Sequence, residues 1–403
     1  MNLQLKNSTN RVFLVLCVTG FFAILSSTMS KSPVLPSFAA YLQTPEGFWT
    51  GVVATASTIP GILIALPAGS LSDIFGRRKM LLFSAFVFAS APFLYLFVTI
   101  WWQLILVRFY HGFATGMFVP IAEALIAENF PTKRGERISL FSSVTIVGRT
   151  LAPLLGGYIL FVTSLDFHAL YIAVAAAGLT AFATALAFLG ERKAVASQSS
   201  RLNGTAVRSL IQSWKNIAKT PGFFVVGLVE ASQYYVYGSV DFFLVKYLGH
   251  IGVNALLQGV ILASLLVVVL LSKPYLGRLS DRTGRRTPII VGCVVSAAPL
   301  LAVPFSSQFP VLLLLAMVYG LGFSLVTSST PALVSELVPM NIVGSAMGFL
   351  SSIMDMGQTL GPLVCSLILV TTLGYVGLFA SLTVVLIFVG GIFLATKVEK
   401  LRK

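Results

Sequence analysis

Gly69-Ser70-Leu71-Ser72-Asp73-Ile74-Phe75-Gly76-Arg77-Arg78-Lys79 returns later in the chain as Gly277-Arg278-Leu279-Ser280-Asp281-Arg282-Thr283-Gly284-Arg285-Arg286-Thr287. From Gly69 to Gly277 the offset is 208 residues, about half of the 403, and both tracts lie between long apolar runs. A single basic turn carries little information. Two copies at matching places in two halves point to a duplicated membrane architecture.

The composition agrees. Hydrophobic residues make up 57% of the chain, charged residues 10%, and mean hydropathy is +0.92, values no ordinary soluble domain reaches. Twelve runs are long enough to cross a bilayer as helices, at about 20 residues each: 12–31, 48–70, 79–99, 102–126, 138–162, 168–189, 222–245, 254–276, 287–304, 309–334, 344–370 and 374–395. A closed β-barrel would need strands alternating in polarity, and these runs do not alternate.

The formal charge is +14, so where the cations sit decides their meaning. All Lys and Arg except Lys31, Arg108, Arg149 and Lys246 fall at the N-terminus, in alternate loops beginning with 71–79, or in the C-terminal tail. That is the positive-inside asymmetry, and it predicts cytoplasmic N- and C-termini. A nucleic-acid partner needs a contiguous basic face, and none is predicted. The first apolar run has no small-residue cleavage site after it and reads as a retained helix. Cys17, Cys293 and Cys365 lie far apart within spans and read as packing residues, with no disulfide or metal spacing.

The one long polar segment, 191–220, divides the chain into an N-terminal half, 1–190, and a C-terminal half, 221–403, of six spans each. Trp214 and Ile217 hint at a short surface helix there; a plain tether is the other reading. The repeat extends beyond the basic turns. Ala124-Leu125, Glu128 and Pro131 are echoed 208 residues on by Ala332-Leu333, Glu336 and Pro339. Gly148-Arg149-Thr150-Leu151-Ala152-Pro153-Leu154 is echoed 209 residues on by Gly357-Gln358-Thr359-Leu360-Gly361-Pro362-Leu363.

These tracts resemble signatures of the major facilitator superfamily. The paired turns after spans 2 and 8 resemble its cytoplasmic loop motif, and Arg108-Phe109-Tyr110-His111-Gly112 resembles its intramembrane Arg motif. Gly148 through Gly157 is similar to the span 5 signature of its twelve-helix drug/proton antiporter branch. The resemblance implies an all-α membrane protein with twelve transmembrane helices in two pseudo-symmetric six-helix bundles, alternately open to each side. It also implies a cytoplasmic latch in the outward-open state, formed by Gly69, Asp73, Gly76, Arg77, Arg78 and Glu128 and, in the second copy, by Gly277, Asp281, Gly284, Arg285 and Glu336. In residue terms, glycines permit the tight reversal, Asp73 would face a helix N-terminus, and Arg77 would pair with Glu128. Topology-setting charge is the plainer reading of the same residues. Gly148, Pro153, Gly156, Gly157, Gly357, Gly361 and Pro362 permit close helix approach and bending, and the resemblance adds a seal that favours export.

Ionisable groups inside spans are costly and therefore functional candidates. On span 7, Glu230, Tyr234, Tyr237 and Asp241 fall within about 60° of arc, with Gln233 at its edge. This stripe is expected to line the substrate cavity; packing against other helices is the alternative. Arg149 in span 5 and Asp355 in span 11, the latter beside Gln358, lie near mid-span and read either as substrate or proton sites or as fixed ion pairs within their bundles. In span 4, Arg108 is implied to tune a nearby carboxylate, His111 is a titratable group or a packing residue, and Glu123 is a proton carrier or a second latch partner. Lys31 with Asp241 is a candidate outer gate, with a snorkelling Lys31 as the alternative.

The function expected is secondary active transport: proton-coupled export of drug-like or metabolite molecules across a prokaryotic inner membrane. The alternatives are an importer or facilitator of sugars or organic acids, and a transport-silent sensor. No enzymatic activity, metal or organic cofactor is expected, and no phosphate-binding Gly-rich loop is present. The proton gradient is the expected energy source. The expected partners are substrate, protons and lipid, with the chain acting as a monomer.

Overall fold

A computed structural model describes residues 2–130, 133–189, 217, 220, 222–339 and 342–396. Among these residues no strand occurs. The helices are α1 (Asn2–Met29), α2 (Val34–Tyr41), α3 (Phe48–Thr55), α4 (Thr58–Phe75), α5 (Arg77–Tyr95), α6 (Trp101–Asn129), α7 (Arg134–Val162) and α8 (Phe167–Leu189). They continue with α9 (Phe223–His250), α10 (Ala255–Thr283), α11 (Arg286–Ala302), α12 (Phe309–Leu337), α13 (Val343–Leu369) and α14 (Gly374–Ala395). The tether at 191–216 lies outside the described residues.

Each expected span is helical, and one is not continuous. Span 2 breaks at Ala56-Ser57 into α3 and α4. The reason is local: Pro60 has no N–H to donate, and its ring clashes with the carbonyl four residues back, that of Ala56. Ser57 then stands at the N-cap of α4. Nine helices among the described residues are long and apolar enough to cross a membrane by themselves. α9 is not one of them, because Glu230, Gln233 and four tyrosines dilute its apolar sequence.

The chain divides into two compact units. The first holds residues 1–44 and 56–201; the second holds 202–403 together with 45–55, a segment the sequence reading places in the 1–190 half. Within the first unit, α1 packs on α7 and α8, α5 on α6 and α8, and α4 on α6. Within the second, α9 packs on α13 and α14, α11 on α12 and α14, and α10 on α12. The two units use the same pattern of partners, as the duplicated sequence requires. α3 is the addition, packed on α13 of the second unit.

Close approach explains the glycines. A Cβ on Gly148 would lie 2.7 Å from the carbonyl oxygen of Phe21, and one on its repeat counterpart Gly357 would meet the carbonyl of Ala231. Gly361 presses in the same way on Tyr235, and a Cβ on Gly156 would lie 3.3 Å from both Met29 and Pro33. Pro153 and Pro362 sit inside α7 and α13, and Gly157 is buried. Away from these seams the helices expose large apolar side chains, such as Phe97 at 76%, Phe388 at 66% and Leu271 at 62%, as a lipid-facing surface does.

Candidate functional site

The two basic turns are built alike. α4 and α5 meet at Gly76 (φ +91°), and α10 and α11 meet at Gly284 (φ +84°), a region that favours glycine. The arginine that follows each glycine reaches back to the end of the preceding helix. Arg77 Nε donates to Glu128 Oε1 at 2.5 Å and its Nη1 to Ser72 Oγ at 3.1 Å. Arg285 Nε donates to Glu336 Oε1 at 3.0 Å and its Nη1 to Ser280 Oγ at 3.2 Å, with Asp281 Oδ1 at 2.5 Å. For Arg285, desolvation works against the charge, but the hydrogen bonds to Glu336 and Asp281 outweigh it and raise the pKa above the ordinary arginine value. The Asp73 side chain and the surroundings of Gly69 lie outside those described. Gly277 has open space where a Cβ would sit, and Arg78 is half-buried.

Inside the first unit, Arg108 is 1% exposed and its Nη2 donates to Ser57 Oγ at 2.9 Å, so the intramembrane arginine holds the break in span 2. Gly112, one turn on, presses against the Ser57 carbonyl and Pro60. His111 Nδ1 lies 3.5 Å from the Tyr95 hydroxyl, and Tyr95 stacks on Tyr171 at 4.5 Å. These contacts place His111 in a buried aromatic layer. Glu123, half-buried, accepts from Ser142 Oγ at 3.4 Å and makes no ion pair among the described residues. Arg149 is exposed, and no described residue pairs with it, so the fixed ion pair is not seen. Lys31 is half-buried in the turn that follows α1.

Inside the second unit the stripe on α9 divides. Glu230 (1% exposed) and Gln233 (0%) point into the bundle rather than to an open face. Thr330 of α12 donates its hydroxyl to Glu230 Oε2. Gln233 Nε2 reaches Cys293 Sγ at 3.8 Å, and its Oε1 accepts from Ser296 Oγ at 3.5 Å, both on α11. Lys273 acts electrostatically on Glu230. The charge pattern places that lysine among the basic loops, yet it lies inside α10. Tyr234, Tyr237 and Asp241 remain partly exposed, and both tyrosines lie against Phe323 of α12. Asp355 is half-buried on α13, with no ion pair or hydrogen bond to its carboxylate among the described residues. Gln358, one turn further on, packs on Gly238.

One pair escaped the sequence reading. At the end of α9 away from the basic turns, Lys246 Nζ donates to Glu46 Oε2 at 2.5 Å, tying the segment that leads into α3 to the second unit. The available signal was Lys246 itself, a cation set apart from the basic loops.

Comparison with known proteins adds ancestry to this geometry. A family model described as Major Facilitator Superfamily matches residues 16–266 and 227–403. The chain is 27% identical over 372 residues, 90% of both chains, to the Multidrug resistance protein MdtG of Proteus mirabilis, and 27% over 337 residues, 82% of both, to the like-named protein of Citrobacter koseri. Among solved structures, a bacterial homolog of the human lysosomal transporter Spinster matches with a TM-score of 0.75 at 14% identity, covering 98% of this chain and 96% of that one. A D-xylose–proton symporter matches at 0.75 and 16%, covering 95% and 96%. At these identities the structures show the shared fold.

Proposed function

The chain belongs to the major facilitator superfamily, and from that premise we propose that this multi-pass membrane transporter exports drug-like or metabolite molecules in exchange for protons across a bacterial inner membrane. The observation that carries the reading is Glu230, a carboxyl buried at 1% exposure in a span and held by the Thr330 hydroxyl. An acid at that depth is expensive to keep, and a group that binds and releases a proton during the cycle gives it a reason to be there. Export is supported by the relatives named for multidrug resistance and by the Gly148–Gly157 signature. The positive-inside rule supports cytoplasmic termini.

Two families of contact divide the work. The Arg77–Glu128 and Arg285–Glu336 pairs act as a latch at the basic ends of the helices, and the carboxyls Glu230, Asp355 and Glu123 are the groups able to exchange protons. Protonation and substrate then bias two conformations in opposite senses, which is all that coupling requires. The test is purified protein in liposomes, screened for substrate-dependent proton movement across drugs, sugars and organic acids. Antiport predicts proton movement opposite to substrate. Substrate influx down its own gradient, indifferent to pH, would overturn the reading.

A further inference from the structure

Arg149 is a permanent cation in the middle of a span. It stands halfway along α7 (Arg134–Val162), about 20 Å from either end. The hydrocarbon core is about 30 Å thick, so from that depth a guanidinium does not snorkel to either interface. Nor does the side chain face lipid. Val147, Leu151, Leu155, Tyr158 and Val162 are all exposed and fall within about 80° of arc on α7, and Arg149 lies about 160° from their centre. It is nonetheless exposed, and no described residue pairs with it. A charged group exposed on the side away from lipid faces water or a ligand.

The neighbouring helices add donors at the same depth. α7 meets α1 at Phe21 and Leu25 through Gly148, and at Met29 through Gly156, so Ser27 of α1 lies within about one turn of the level of Arg149. Ser27 Oγ and Thr115 Oγ1 of α6 are 3.2 Å apart, and both residues are half-buried. Two hydroxyls joined by one hydrogen bond leave one O–H to donate elsewhere. Toward the basic end of α7, Glu123 is engaged by Ser142 Oγ at 3.4 Å and makes no ion pair among the described residues. Duplication does not require the cation either. The residue 209 positions on is Gln358, neutral and packed on Gly238.

A planar fork of N–H donors beside a spare hydroxyl matches an oxyanion. Guanidinium binds carboxylate through two parallel, charge-assisted hydrogen bonds, about twice as strong as neutral ones. A cation would be repelled here, and a neutral ligand would leave the buried charge unbalanced. We propose that Arg149, with the Ser27–Thr115 hydroxyl pair, forms a subsite in the first unit for the carboxylate of an organic anion. The subsite rests on the transporter reading above and names a substrate class for it.

The probe pair is 2-naphthoate and 2-naphthamide, nearly equal in shape, one anionic and one neutral. Binding is measured on the purified full-length protein in phosphatidylcholine nanodiscs, corrected against empty discs. The wild type should bind the acid at least about tenfold more tightly than the amide. Arg149→Gln should bring the two within about threefold, and Arg149→Lys, which keeps the charge without the fork, should fall between. Ser27→Ala combined with Thr115→Val should weaken the acid about 3- to 10-fold and the amide less. A lipid phosphate carries similar charge but would have to reach Arg149 from the far side of α7, so phosphatidylglycerol added to the discs should not displace the acid. Equal affinity for acid and amide, an Arg149→Gln protein that keeps the preference, or displacement by phosphatidylglycerol would each overturn the subsite. The wild-type comparison stands even if a variant fails to fold. Preferred binding of the acid without proton movement in liposomes would sink the antiport reading and leave the subsite intact. Proton-driven export of neutral compounds by a protein indifferent to the acid would do the reverse.

Discussion

Glu230 and Thr330 form the smallest unit on which coupling can turn. Glu230→Gln keeps the shape and a hydrogen-bonding group but cannot take part in proton exchange. Coupling free energies of about 1–3 kcal/mol correspond to about 5- to 150-fold effects, so export driven by an imposed pH gradient should fall within that range. Substrate counterflow, which needs no net proton movement, should persist in the same liposomes. Unchanged pH-driven export would move the role to Asp355 or Glu123. At the basic turns, Arg285→Glu should slow transport by breaking a pair that also engages Asp281 and Ser280. Adding Glu336→Arg should restore part of that loss, because the reversed charges can pair again. If the double variant is no faster than the single one, the pair does not act as a latch.

At the scale of the element, glycines and one proline set how the helices meet. Gly357→Val would drive a branched side chain into the Ala231 carbonyl and force α9 and α13 apart. Overpacking of this kind costs about 1–3 kcal/mol or more, and the thermal unfolding midpoint in detergent should drop. Gly391, also helical, has nothing within 4 Å of where a Cβ would sit, so Gly391→Ala should be neutral or stabilising by up to about 1 kcal/mol. Equal effects from both substitutions would refute the packing argument. The helices and the basic turns were legible in the sequence because each has a local cause: apolar length for the first, glycine and charge for the second. The break in span 2 also had a local cause, Pro60, but a proline inside a continuous apolar run is equally the mark of a kink in an unbroken helix. The split of the α9 stripe was not legible. A helical wheel gives the angle between Glu230 and Tyr237, whereas burial depends on where α11 and α12 stand around that wheel. The Lys246–Glu46 pair was hidden for a similar reason, since its partners are 200 residues apart.

At the scale of the whole molecule, duplication explains the repeated contact pattern, and residues 45–55 depart from it. They are encoded in the first half yet pack in the second unit, where Glu46 meets Lys246 and Gly51 leaves no room for a side chain against Ser366, Leu363 and Pro362. The compact unit and the half of the chain that repeats therefore do not coincide. A hybrid made by joining the first half of this chain to the second half of a relative would separate α3 from the α13 surface it packs on. Hybrids that transfer residues 45–55 together with 221–403 should express better and unfold at higher temperature than hybrids joined at the tether alone. If both kinds of hybrid are equally stable, the segment is a passenger. If they differ, recombination among such transporters has been constrained by a strip of eleven residues carried on the wrong side of the gene's midpoint.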